Sequence, residues 1–89
     1  MANEDGLLEL RDQLDNIDNE LLKLLNDRMK LVHKVGALKA KSGGAIYRPE
    51  REKSIIDRLD KINQDNKGLL NRSAIEALFL EIFAISRNI

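Results

Sequence analysis

At 89 residues, with 43% hydrophobic but only 3% aromatic side chains, the chain is expected to form one small domain of packed helices and not a β-sandwich. Fifteen Lys and Arg balance fifteen Asp and Glu, so no general attraction to nucleic acid or an anionic membrane is expected, a local basic cluster aside. Zero Cys excludes disulfides and thiolate chemistry, and a single His disfavours a His-based metal site.

The first predicted element is a helix from Leu7 to Lys41, preceded by a short polar tail, Met1 to Gly6. Its apolar seam reads Leu7, Leu10, Leu14, Ile17, Leu21, Leu24, Leu31, Val35 and Leu38, with spacings of three and four. Arg28 stands on that seam. An unpaired charge there would be costly, so Arg28 snorkels, pairs with a carboxylate or waits for an anionic ligand. At 1.5 Å per residue this helix would be a rod of roughly 50 Å, whereas a compact globule of this chain length is about 30 Å across. A second copy is therefore expected to lie along it. Gly36, inside the helix, reads as close approach of a neighbouring helix, and His33 as a solvated surface residue. Ser42-Gly43-Gly44 stops the helix.

Residues 45–48 form a connector, and Pro49 suits the first turn of a second helix, followed by Glu50 and Glu52 where the helix dipole favours acids. Its seam reads Glu52, Ile55, Leu59 and Ile62, with Ile56 beside it. Glu52 is again a charged residue on a seam, which is also what an ordinary solvated first-turn Glu looks like. Asn63 to Gly68 is a polar loop turning at Gly68. Asn71 or Ser73 caps a third helix that runs to the C-terminus, with a seam of Ile75, Leu78/Phe79, Ile82, Ser86 and Ile89. Ser86 on that seam can bond back to its own helix. No apolar run reaches transmembrane length and the acidic N-terminus has no signal-peptide pattern, so a soluble, cytoplasmic protein is expected.

Each helix thus carries one polar break: Arg28, Glu52 and Ser86. Arg11 and Lys39 flank the first seam. Arg28 and Lys39 project from one helix face about 16 Å apart and could clasp a small dianion between them. Arg11 lies about 25 Å from Arg28 and about 42 Å from Lys39 along the same rod, so it could join that ligand only from another chain. With no primed nucleophile and no phosphate-binding Gly loop, catalysis here would rest on positioning and electrostatics.

Leu7-Leu8-Glu9-Leu10-Arg11, Ile17-Asp18, Leu24-Leu25-Asn26-Asp27-Arg28, Val35-Gly36-Ala37-Leu38-Lys39 and Arg48-Pro49-Glu50-Arg51-Glu52 together resemble the helical class of chorismate mutases. The resemblance extends over nearly the whole of residues 1–89 and is nearest to the mutase domain at the N-terminus of bifunctional chorismate mutase–prephenate dehydratases. It implies an all-α, intertwined six-helix homodimer, three helices per chain, with two equivalent sites. Each site would convert chorismate to prephenate, in phenylalanine and tyrosine biosynthesis, without metal, cofactor or covalent intermediate. By the same resemblance, Arg28 and Arg11 of the partner subunit would bind the two substrate carboxylates, and Lys39 the ether oxygen and a carboxylate. Glu52 would accept from the ring hydroxyl with help from the Arg48 backbone amide. Arg51 would support the carboxylate side, and Ser86 would contact a carboxylate. Val35 and Ile55 would press the substrate into its reactive shape.

Two departures from the family stand out. Position 48 is Arg where relatives can have Asp, which leaves the amide contact but not a side-chain one. The family also has a Gln four residues after the Ser, and four after Ser86 falls one past Ile89. The 89-residue chain is accordingly expected to be weakly active unless Asn88 supplies that donor. Competing readings are an isochorismate–pyruvate lyase, which shares the fold and a cationic pocket, and a non-catalytic helical dimerisation module.

Overall fold

A computed structural model describes residues 2–43 and 48–89. It shows three helices in chain order: α1, Ala2–Ser42; α2, Pro49–Asp65; and α3, Arg72–Ser86. The all-α reading and the one long helix are as expected, while three boundaries move. The polar N-terminal segment is the start of α1 and not a tail. Asn3, Glu4 and Asp5 thus lie within the helix. Lys39 and Lys41 occupy the last turn of α1, where the helix dipole favours cations. Gly43 follows with φ +73°, the left-handed conformation that ends helices and that glycine adopts without a Cβ penalty. Of the expected connector only Arg48 is among the described residues.

Arg48 is the extended N-cap of α2 (φ −135°, ψ 95°) and Pro49 takes its first position. The helix continues to Asp65, beyond the loop start expected at Asn63. The turn that follows places Lys67 at φ 55° and closes with the Gly68 amide donating to the Asn63 carbonyl at 2.8 Å. Asn63 also donates through Nδ2 to the Leu70 carbonyl, so its side chain braces the turn. A Cβ on Gly68 would fall 1.7 Å from Asn63 Oδ1, so a side chain here would have to displace the Asn63 amide. Asn71 is the cap of α3, its Oδ1 accepting from the Ala74 amide at 2.8 Å. α3 stops at Ser86 and does not run to the C-terminus; Arg87 and Asn88 form a turn in which the Arg87 amide donates to the Phe83 carbonyl at 3.1 Å.

The chain divides into two units, Met1–Val32 and His33–Ile89. In the first, the α1 seam residues Leu7, Leu10, Leu14, Ile17, Leu21, Leu24 and Leu31 are between 47% and 61% exposed. In the second, α2 packs on α3 around Ile55, Ile56 and Phe83, with Leu59 and Phe79 against them. The rings of Phe79 and Phe83 lie 6.1 Å apart and tilted by 59°, a favourable aromatic geometry. The inward stripe of α3 therefore reads Ile75, Phe79, Ile82 and Phe83; of the expected seam position Leu78/Phe79 it is Phe79 that packs inward, partly buried, while Leu78 and the expected seam end Ile89 are exposed. In α2, Ile62 is likewise exposed, and Asp60 is buried. Gly36 has nothing within 4 Å of its Cβ position among the described residues, so the close neighbour expected there is not one of them. No helix among the described residues is long and apolar enough to cross a membrane.

Candidate functional site

Glu52 is placed by the start of α2. The Arg48 carbonyl accepts from the Arg51 and Glu52 amides, each at 3.1 Å, which fixes the first turn behind Pro49. The Glu52 side chain points out of this turn and is only 18% exposed. It meets the far end of α3, where Arg87 donates through Nη2 to both carboxylate oxygens, at 2.9 and 2.7 Å. An antiparallel pair joined by a short loop puts the start of one helix beside the end of the other. In the sequence Glu52 stands as a lone seam acid, and no local pattern points to Arg87. The signal available was that hairpin register, counted outward from the turn at Gly68.

Ser86, one residue before Arg87, is half-buried and donates its hydroxyl proton to the Ile82 carbonyl at 2.7 Å. In this rotamer the oxygen offers lone pairs, and it must turn away from Ile82 to donate to an anion. Ile55, one turn after Glu52, is buried in the α2–α3 core. Glu52 and the Ser86–Arg87 end of α3 are thus brought together. The Arg48 guanidinium lies 3.5 Å from Glu50 and not on Glu52. The Glu50 carboxyl is held below the usual range, chiefly by its own backbone amide and further by Arg48. Arg51 is exposed, and its carbonyl accepts from Ser54 Oγ at 2.8 Å.

The remaining candidates lie on α1. Val35 and Lys39 belong to the second unit, Val35 exposed and Lys39 half-buried. Arg11 and Arg28 belong to the first. Arg28 is half-buried on a helix whose other seam positions are exposed, and Arg11 is exposed. They stand seventeen positions apart on one helix, about 25 Å at 1.5 Å per residue, so one chain does not bring both to one small ligand. His33 is exposed, as expected.

A second charged cluster ties the opposite end of the α2–α3 pair. Arg72, the first residue of α3, donates to Asp57 and, at 3.3 Å, to the buried Asp60, which also accepts from Gln64 at 3.0 Å. Arg72, and then Lys53, hold the Asp57 carboxyl below the usual range. Its groups satisfy one another and face the loop, as expected of a structural clasp. Among the described residues no group of three or more His, Asp or Glu could hold a metal ion. Within the second unit the described residues bring together an oriented carboxylate, Glu52, a guanidinium, Arg87, and the Ser86 hydroxyl beside it.

Residues 10–89 match the family described as chorismate mutase type II. The chain is 37% identical over 79 residues to the bifunctional chorismate mutase/prephenate dehydratase of Aquifex aeolicus, covering 88% of this chain and 22% of that protein. It is 42% identical over 60 residues to the chorismate mutase of Methanocaldococcus jannaschii, covering 67% of this chain and 61% of that one. Among solved structures, chorismate mutase form I from Thermus thermophilus superposes with a TM-score of 0.81 at 34% identity, over 90% of this chain and 96% of that one. The chain spans about a fifth to a quarter of the length of the bifunctional relatives it matches.

Proposed function

This chain belongs to the type II chorismate mutase family, and from that premise we propose that residues 1–89 form a chorismate mutase domain that works as a homodimer in aromatic amino acid biosynthesis. The reaction is the rearrangement of chorismate to prephenate: the ether C–O bond breaks while a C–C bond forms within the same molecule, and no atom enters or leaves. Such a reaction asks a protein for shape and charge placement, the two things that these residues offer.

In the proposed site Arg28 and Arg11 of the partner subunit hold the two carboxylates, with Arg51 and Ser86 on the carboxylate side. Lys39 donates to the ether oxygen, which gains negative charge only as its bond breaks, so this contact accelerates the reaction and does not merely bind substrate. Glu52 accepts from the ring hydroxyl, supported by the Arg48 backbone amide, while Val35 and Ile55 confine the substrate to its reactive conformer. The half-buried Arg28, the exposed Arg11 and the exposed α1 leucines support a site completed by a second chain.

The observation that carries the proposal is the family match across residues 10–89, which contains every one of these positions. The test is spectroscopic: chorismate absorbance should fall with purified protein and prephenate should appear, while isochorismate should be left unchanged. No loss of chorismate above the uncatalysed rate, or cleavage of isochorismate to release pyruvate, would overturn it.

A further inference from the structure

We propose that Arg87 is the positioning residue for Glu52: it aims the carboxylate that receives the substrate's ring hydroxyl. The inference rests on the reading of Glu52 just given, and on geometry within one unit of the chain. A glutamate in the first turn of a helix has free torsions about its side-chain bonds, and a hydroxyl acceptor must be held in a narrow range of positions to be useful. Arg87 supplies that restraint. Its Nη2 lies 2.9 Å from Oε1 and 2.7 Å from Oε2 of Glu52, so one nitrogen bridges both oxygens from the end of another helix, thirty-five positions away.

The placement is specific in three ways. Glu52 is 18% exposed and Arg87 39%, so the pair is more shielded than the i,i+4 ion pairs along the helices, such as Lys53 with Asp57 at 77% and 44%. Each charge sits at the helix end whose dipole favours it, the acid at the start of α2 and the cation at the end of α3. Arg87 also directly follows Ser86, so one turn of chain places both a carboxylate-side hydroxyl and the group that orients Glu52.

The geometry leaves Glu52 able to act. An ionised carboxylate has about four acceptor sites, and the two N–H groups of one guanidinium nitrogen use about two of them. The remainder can accept a hydroxyl, while Arg87 offsets the charge of the shielded carboxylate. A Glu52 without this partner would sample other rotamers and hold the ring less well.

The expected kinetic signature follows from what the hydroxyl does. No bond to it changes in the rearrangement, so its contact with Glu52 is alike in ground and transition states, and losing it raises KM more than it lowers kcat. Arg87→Ala should lower kcat/KM on chorismate by about ten- to a hundredfold, the scale reached when a group is misplaced by about 1 Å, chiefly through KM. In a Glu52→Ala background the same substitution should change kcat/KM by less than about twofold, because two residues acting through one contact are not additive. Arg87→Lys should recover most of the loss, since a single nitrogen makes the bridge, whereas Arg87→Gln should not. The Lys and Gln pair carries the comparison if Arg87→Ala fails to fold, and circular dichroism records folding throughout. Kinetics of Arg87→Ala or Arg87→Gln within twofold of the unsubstituted protein, or an equal loss in the presence and absence of Glu52, overturns the assignment. Failure of the unsubstituted protein to consume chorismate overturns the site reading itself, and the role of Arg87 with it.

Discussion

Arg28 interrupts the apolar seam of α1 and Lys39 lies in its last turn, and the proposed chemistry gives both a use. Removing either preorganised cation should lower kcat/KM by at least about 10², the scale for loss of one charge-stabilising donor. Helical content should be retained in both variants, because the α2–α3 core of Ile55, Ile56 and Phe83 does not contain them. Near-normal kinetics in Arg28→Ala or Lys39→Ala would place the charge elsewhere. Ser86 should matter less. Its hydroxyl already donates to the Ile82 carbonyl at 2.7 Å, so any bond to substrate trades one acceptor for another. Ser86→Ala is expected to cost about 1 kcal/mol, the net worth of an ordinary hydrogen bond, which is less than a tenfold loss in kcat/KM. A hundredfold loss would show that the hydroxyl is committed to the substrate.

At the scale of elements, the turn between α2 and α3 sets the register that brings Glu52 to Arg87. Gly68→Ala would place a methyl 1.7 Å from Asn63 Oδ1 and expel the side chain that bonds the Leu70 carbonyl. Losing that solvent-exposed hydrogen bond should cost about 0.5–1.5 kcal/mol, read as a fall in melting temperature. An unchanged melting temperature would mean that the turn rearranges freely. The Arg72–Asp57 pair predicts a pH dependence with a definite sign. Arg72 lowers the Asp57 carboxyl in the folded state, so the unfolded chain binds this proton at higher pH than the folded one. The stabilisation is complete above the ordinary carboxylate range and is lost as pH falls through and below it. Arg72→Leu should flatten the acid limb of a stability profile recorded from pH 7 to pH 2, and a profile as steep as that of the unsubstituted protein would contradict the link.

Much of this element level was legible in the sequence. Pro49 at the start of α2, the Asn71 cap and the long α1 repeat each rest on local chemistry that a short window contains. Arg28, Glu52 and Ser86 were visible because each interrupts an apolar repeat. What was not legible depends on the pairing of two helices. Phe83 falls off the simple seam yet is among the most buried residues, and Asp60 is buried because Arg72 and Gln64 reach it. The Glu52–Arg87 pair belongs to the same class, since neither residue signals the other across thirty-five positions. The early start of α1 was missed because polar residues in a first turn resemble a tail.

At the scale of the whole molecule, the leucines of α1 pose a problem that one chain does not solve. Fully burying a Leu or Ile yields about 1.5–3 kcal/mol, and the row from Leu7 to Leu31, 47% to 61% exposed, leaves roughly half of that unrealised in the single chain. A second copy lying along this face would bury the row. In the proposed site that second copy supplies Arg11 opposite Arg28, a pairing that a span of about 25 Å forbids within one chain. Sedimentation equilibrium should therefore find a dimer at micromolar concentration and little folded monomer, and a stable folded monomer would contradict the two-chain site.

The most direct measurement of that shared site mixes two inactive variants. Arg11→Ala and Arg28→Ala chains are each expected to be nearly inactive as homodimers, since both sites in each lack one carboxylate clamp. Unfolded together in equal amounts and refolded, half of the dimers should be mixed, and each mixed dimer should hold one site with both arginines intact. The predicted result is recovery of about a quarter of the unsubstituted activity on chorismate, from random pairing of subunits in a two-fold dimer. Mixed dimers that form, as shown by mass spectrometry, yet recover no activity would contradict a site built from Arg28 of one subunit and Arg11 of the other.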